Sequence, residues 1–574
     1  FYSILSNRQD LLSTSSSPHS NSLALHIEFS FPSHLHPYCS LLPPIVFICI
    51  ICYRKIHTLL LFNIEHRISK VYSKLICITQ FQKMIKASVH WFRHGLRLHD
   101  NPALLESIKD TEKFYAVFIH DGHTAGTNIT GYNRLNFLTE TLNNLDEQLR
   151  EVGSQLFVFK GNPTEIFRIL HKEAGITRIT CEQDCEAIWN KRDDDVRNLC
   201  QELGMDFVER ISHTLWDPFK IIENNGGQPP LTYEMFLVCL QVLSFVFIFL
   251  INFVYTLQLC PHVPKPEELG CTKKNGECPV YVGGEHPALL HLADRLRVEE
   301  EAFQDGYILP NQVNPDLLGP PMSMSAALRF GCLSVRKFYW DIQDVYVKMY
   351  EGEPPPSQSL TAQLIWREFF YCMSANNPKF DQMKENPICI DIPWYDSKEK
   401  LSAWEEGRTG YPFIDACMRQ LHKEGWIHHV CRTAVACFLT RGDLWISWEV
   451  FYKYLIDADW SVSAGNWMWI SSSAFERQLD CSTCICPVNY GRRVEPTGDY
   501  IRCYVPELAS MPQEYIFEPW KAPRKLQRKV KCIIGRDYPE RIVLLKGCWY
   551  IINMPLCSWR QMYYPKVTLK YKKE

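Results

Sequence analysis

The sequence predicts an α/β domain on a doubly wound parallel sheet, joined by a long connection to a large all-α domain. Three observations carry this. Strand-like runs alternate with amphipathic helical stretches between positions 87 and 212. From about Pro287 onward the pattern is helical almost throughout. The 574 residues are 46% hydrophobic and 22% charged, a globular balance long enough for two to four domains.

The strand-like runs come in order as ASVHWF (87–92), FYAVFIH (114–120), QLFVFKG (155–161), RITCEQ (178–183) and DFVERIS (206–212). Between them lie NRLNFLTETLNNLDEQLREVG and EAIWNKRDDDVRNLCQELG. A strand-helix-strand alternation at this spacing makes parallel pairs through right-handed crossovers. No GxGxxG or GxxxxGK[ST] is present, so the sheet carries no dinucleotide or P-loop fingerprint. The expected organisation is an atypical stretch at 1–84, the α/β domain at 85–216 and a connection at 217–286. A helical domain at 287–543 and an atypical tail at 544–574 complete it.

Composition narrows the function classes. The net charge of −3 gives no global signature of a nucleic-acid binder, though a local basic groove stays open. The 24 cysteines are scattered along a long chain, which reads as a reduced, intracellular protein. The densest group, Cys481, Cys484 and Cys486, has no fourth ligand at suitable spacing, so no metal site is expected. The sequon at Asn128 means little in such a chain.

Three segments fit poorly. Residues 1–83 show no clear period, and Met84, just before the first strand, is read as the true start. Residues 235–259 hold no charge and have the length and hydropathy of a transmembrane helix. A bilayer there would separate two halves of one soluble architecture, so no membrane span is expected. The tail from about Leu544 shows neither helical nor strand period, and from Lys546 it is basic up to Glu574.

The stretch from Asp443 to Trp469 holds Trp445, Trp448, Trp460, Trp467 and Trp469 beside Asp443, Glu449, Asp457 and Asp459. Spacing alone favours a packed helical core, since indoles contribute large buried areas. The competing reading is a row of electron donors leading to an oxidising cofactor.

HWFRHGLRLHDNPAL (90–104), LRFGCLSVRKFYW (328–340), QLIWREFFY (363–371), GWIHHVCRTAVACFLTRGDLW (425–445) and DADWSVSAGNWMW (457–469) together resemble the cryptochrome/photolyase family. AGNWMWISSSAFE and YVPEL…YPERIV resemble its insect-type, light-sensing animal cryptochromes. The resemblance implies a photolyase-like fold with FAD held in a U shape inside the helical domain, and allows a second, antenna chromophore. It implies that Ser323, Ser325 and Arg295 meet the diphosphate, and that Gln363 and His429 line the cavity. Arg432 and Asp457 would form an ion pair against the isoalloxazine. Asp459 and Asn466 would contact the ring's polar edge or the adenosine. Ser463 would stand beside flavin N5, where the insect type usually has Cys and other members Asn. Trp467, Trp448, Trp394 and Trp445 would carry an electron hole outward in that order, leaving Trp460 and Trp469 as core.

The same resemblance implies a blue-light photoreceptor of the circadian clock. Its partners would be timeless-like and period-like clock proteins and a ubiquitin ligase, in cytoplasm and nucleus. The alternatives are a light-independent transcriptional repressor and a DNA photolyase. The (6-4) enzymes use two histidines four residues apart; here the second position is Thr433, and a hydroxyl is no acid near neutral pH. Trp366 and Glu368 of the WRE motif leave cyclobutane-dimer repair less directly excluded. Two further departures from the family pattern are expected to matter. About four residues are missing between Glu449 and Val450, and the family's light-released terminal helix is replaced by the basic tail.

Overall fold

The structure is a computed structural model. It describes residues 85–122, 130–240, 262–274, 276–304, 315–350, 360–390, 397–441, 448–475 and 486–543, all within one compact unit that begins at Ile85. Trp394, Trp445, Asn128, Cys481, Cys484 and the atypical stretches 1–84 and 544–574 lie outside the described residues.

All five expected strands form: β1 Ile85–Phe92, β2 Thr111–His120, β3 Leu156–Lys160, β4 Arg178–Glu182 and β5 Asp206–Arg210. They pair in the order β3-β2-β1-β4-β5, every pair parallel, with Val89 opposite Tyr115 and Ile179. The crossovers contain α1 Pro102–Ile108, α2 Tyr132–Glu151, α3 Pro163–Ala174 and α4 Asn190–Leu203. Two of these begin with the same device. Asn101 and Asn162 accept backbone N–H groups at the helix start, and proline follows at the first turn.

Strand alternation sends Val89, Trp91, Val117, Ile119 and Ile179 to one face, where they pack with Phe167, Val196 and Leu199. The opposite face, with Phe92, Ala116, Phe118 and Val158, packs on α2 and is continuous with the core of the helical part.

The helical part follows α5 Pro218–Asn224 and α6 Tyr233–Leu240. It contains α7 Glu285–Gln304, α8 Ser325–Phe330, α9 Val335–Met349, α10 Leu360–Ser374, α11 Lys398–Glu405 and α12 Pro412–Glu424. Next come α13 His429–Arg441, α14 Trp448–Tyr454, α15 Trp460–Ile470, α16 Pro487–Val494, α17 Asp499–Tyr504, α18 Gln513–Ile516 and α19 Arg524–Lys529. Helix α14 runs unbroken through Glu449 and Val450, so the shortening expected there falls within a continuous helix. Only 235–240 of the apolar run is described, as part of α6. Among the described residues no helix is long and apolar enough to cross a membrane.

Helix α15 is central: it packs against α10, α13 and α14. Gly465 permits this, because a Cβ there would meet the Phe370 ring at 2.3 Å. The sheet and the helical part are joined by buried polar contacts. Arg134 donates to the carbonyls of Leu455 and Ala458, and Arg329 also donates to Ala458. Gly331 ends α8 at φ +67, and Arg97 donates to its carbonyl at 3.0 Å. A Cβ on Gly331 would lie 2.2 Å from the backbone nitrogen of Gly95.

Candidate functional site

The helical part gathers cations, hydroxyls and one buried carboxylate from elements far apart in sequence. Arg432, in the first turn of α13, donates through Nη2 to Asp457 at 2.8 Å and through Nε to the Ile427 carbonyl at 2.9 Å. The Asp457 side chain is 2% exposed against 27% for Arg432, so the pair is capped on the acid's side and open on the cation's. The second oxygen of Asp457 has no protein partner, and neither does the buried Nε1 of Trp426, whose ring lies 5.8 Å from the Arg432 guanidinium.

Around this pair stand Tyr281, His428 and Arg295. Burial raises the Tyr281 hydroxyl well above its usual range, and the Asp457 charge adds to this, against Arg432 and a bond to Ser323. Burial lowers His428 to about 4, with Arg432 and Arg295 acting in the same direction. The His428 Nδ1 accepts the Val430 N–H at 3.3 Å, which leaves the proton of the neutral ring on Nε2. Its neighbour His429, 4.4 Å away between ring centroids, is likewise lowered by burial and by His428.

Arg295 donates to the Met322 carbonyl at 3.3 Å and pairs with Glu299, yet its buried Nε has no partner. Ser323 and Ser325 bond each other at 2.9 Å, just at the start of α8, where backbone N–H groups are free of helical acceptors.

Helix α15 supplies the remaining side chains. Ser463, Asn466, Trp467 and Ile470 share one face by helical spacing, and the two polar ones are half-buried on a helix that lies inside the domain. Asp459 caps this helix, accepting from Val462 at 3.1 Å. Its other oxygen accepts from the Tyr371 hydroxyl, which lies 2.6 Å from His213. Burial would raise the Asp459 carboxyl, but Arg329 and Arg367 hold it at about 2. Gln363 stands exposed on α10, the helix packed on α15.

The structure therefore brings Arg295, Ser323, Arg432, Asp457 and His429 into one cluster. It sets Ser463, Asn466 and Trp467 on one helix face. Asp459 sits in a buried network at the sheet interface, where one oxygen accepts from Val462 and the other from Tyr371. Of the expected electron row, the Trp467 ring is described, Trp448 sits on α14, and the other two lie outside the described residues. Sequence reasoning missed Trp404 on α11. It is fully buried, its ring is 6.3 Å from Trp467, and it stacks on Phe451, which is 5.2 Å from Trp467. Tyr281, Trp426 and His428 were also missed; the last two stand beside His429 in GWIHH, which was the available signal.

The repair-related positions are engaged within the protein. Trp366 stacks face to face on Tyr233, at 3.9 Å and 3°. Glu368 points inward and accepts the Leu215 N–H at 2.6 Å; burial, opposed by Arg367, pushes its carboxyl up to about 7. The Thr433 hydroxyl donates to the His429 carbonyl at 3.0 Å.

His94, Asp184 and Glu186 approach one another closely enough to suggest metal ligands. Their partners lie within the protein instead. Asp184 pairs with Arg192, His94 meets Arg329 at 3.1 Å, and Glu186 accepts from Ser461 and Trp189.

The cluster fits FAD. Cations and hydroxyls suit a diphosphate, and unpartnered buried donors and one carboxylate oxygen suit a polar ring edge. The comparisons agree. The model of the FAD binding domain of DNA photolyase matches residues 360–548, and that of DNA photolyase matches 88–245. The chain is 50% identical to cryptochrome-1 of Aedes aegypti over 489 residues, 79% of this chain and 90% of that one. It is 47% identical to cryptochrome-1 of Mus musculus over 472 residues, covering 79% and 77%. A bacterial class III photolyase structure from Agrobacterium tumefaciens shares the fold, with a TM-score of 0.70 at 23% identity over 83% of this chain and 98% of that one. With its parallel five-stranded sheet, its helical FAD-binding domain and these relatives, the chain belongs to the cryptochrome/photolyase family of flavoproteins.

Proposed function

We propose that the protein is a blue-light photoreceptor of the circadian clock, in which Trp467 reduces photoexcited FAD and signalling reaches clock proteins. The carrying observation is the Arg432–Asp457 pair, its acid buried and one carboxylate oxygen left open, in the same cluster as Arg295 and Ser323. FAD, when bound, supplies a strong oxidant on absorbing blue light.

The protein's own residues do the rest. Arg295, with the Ser323 and Ser325 hydroxyls, would hold the diphosphate. Arg432 balances the Asp457 charge and sets the electrostatics of the ring site. Gln363, His429, Ser463 and Asn466 would line it. Trp467, almost wholly buried, gives up one electron; the resulting hole passes to Trp448 and on through Trp394 to Trp445. Asp459 orients α15, and with it Trp467, through its cap and its bond to Tyr371. An absorption spectrum of the purified protein before and after blue light tests this. Without added donors, Trp448→Phe keeps an aromatic filler but removes a hole carrier; it should photoreduce more slowly than the parent.

The proposed partners are timeless-like and period-like proteins and a ubiquitin ligase, met in cytoplasm and nucleus, without a membrane span. A DNA photolyase is disfavoured by the inward Glu368, the covered Trp366 face and the internally bonded Thr433. A light-independent repressor is the second reading, favoured by the basic tail that stands where a light-released helix is expected. A photoreduction assay separates it from the first only if signalling is measured as well.

A further inference from the structure

A charge pattern near the end of the described chain has no part in the site above. Between Lys521 and Lys531 there are six lysines and arginines and no acid. From Lys521 to the end, fourteen basic residues stand against three acidic ones, in a chain whose net charge is −3. Helix α19 presents this charge on a fixed support. Gln527 is buried, donates to the Ala522 carbonyl at 2.8 Å and accepts from Ile534 at 3.1 Å, while Leu526 and Val530 pack on the core. Lys521, Arg524, Lys525, Arg528, Lys529 and Lys531 are exposed.

Two of the flanking acids are already engaged. Glu518 bridges Arg492 and Lys521, and Asp537 pairs with Arg536. Among the described residues Lys525, Arg528, Lys529 and Lys531 have no carboxylate partner, and Arg524 donates only to Gln527 and to the Ile534 carbonyl. Arg524 with Arg528, and Lys525 with Lys529, form two rows of cations about 6 Å apart along the helix. Like charges at this spacing weaken a helix, so the arrangement serves no stabilising purpose of its own.

We propose that this face of α19 docks an acidic segment of a partner protein. Carboxylates repeated at helical or strand spacing match the two rows. Because the basic run is folded into a pinned helix, a partner meets it as a surface and does not thread it as an extended chain. The remainder of the chain is net acidic, so a long polyanion would run off this small patch onto unfavourable charge.

The test uses the full FAD-loaded chain and a labelled Glu/Asp-rich peptide of about 12 residues, at roughly 50 and 200 mM salt. Fluorescence anisotropy should show binding that weakens with salt. The variant R524E/K525E/R528E/K529E should bind about tenfold more weakly. Its flavin absorbance should match the parent's, which establishes that it folds. A control with the exposed Lys109→Glu and Lys113→Glu should leave affinity unchanged. The proposal is overturned by no peptide binding at low salt or by equal loss in the control. Tighter patch-dependent binding of random-sequence duplex DNA also overturns it.

Discussion

Asp457 and Arg432 show how much one pair can carry. With the carboxylate 2% exposed, truncating its partner strands a buried charge. Arg432→Ala should therefore cost about 2 kcal/mol in urea unfolding of the FAD-free protein, the guanidinium being partly screened by solvent. It should also lower the flavin content of purified protein. Titration offers a second residue-scale test. Burial lowers His90 to about 3, and it lies 2.9 Å from the Thr180 hydroxyl. The unfolded chain takes up a proton near pH 6.5 that folded His90 refuses. The stability is present above pH 6.5 and lost as pH falls toward 3. Denaturation midpoints measured from about pH 7 to pH 4 should fall less steeply for His90→Gln than for the parent. At this scale the motifs made Arg295, Ser323, Arg432 and Asp457 legible. Tyr281 and Trp404 were not, since they reach the site from elements whose own motifs say nothing of it. Asp459 was legible as a site residue, but only packing shows that its oxygens serve a helix cap and Tyr371.

Elements were legible where burial is two-sided or periodic. All five strands formed within a few residues of expectation, because alternate side chains fill two different cores. Helices α1 and α3 escaped notice; each is announced by Asn-Pro, a cap and first-turn signal that periodicity does not weigh. The junction between sheet and helices was illegible, because it depends on close backbone approach. Gly331 combines φ +67 with contact on the Gly95 backbone. Gly331→Ala should lose about 3 kcal/mol, through left-handed strain and the clash together. Thermal unfolding of the variant checks this; an unchanged melting temperature would mean that the contact can relax.

The apolar run and the tail set the behaviour of the molecule as a whole. Phe236, just before the undescribed part of the run, and Val263, just after it, are buried in the same core. Deleting 241–259 should then raise soluble yield and leave flavin per protein unchanged; carbonate-resistant membrane association of the native protein would contradict this. The basic tail has no helical period that would dock it. Pull-downs of clock partners in darkness and under blue light separate the two readings: little difference is the outcome expected of the light-independent one that the basic tail favours, and a strongly light-gated interaction is the outcome expected of the photoreceptor. Light-driven reduction of the flavin rests, in the proposed function, on Trp467 as electron donor. The most direct measurement is the flavin absorption spectrum of purified parent and Trp467→Phe proteins under blue light, without added reductant. Oxidised flavin should bleach in the parent and not over the same exposure in the variant, with equal flavin content in both. Bleaching of the variant at the parent's rate would contradict it.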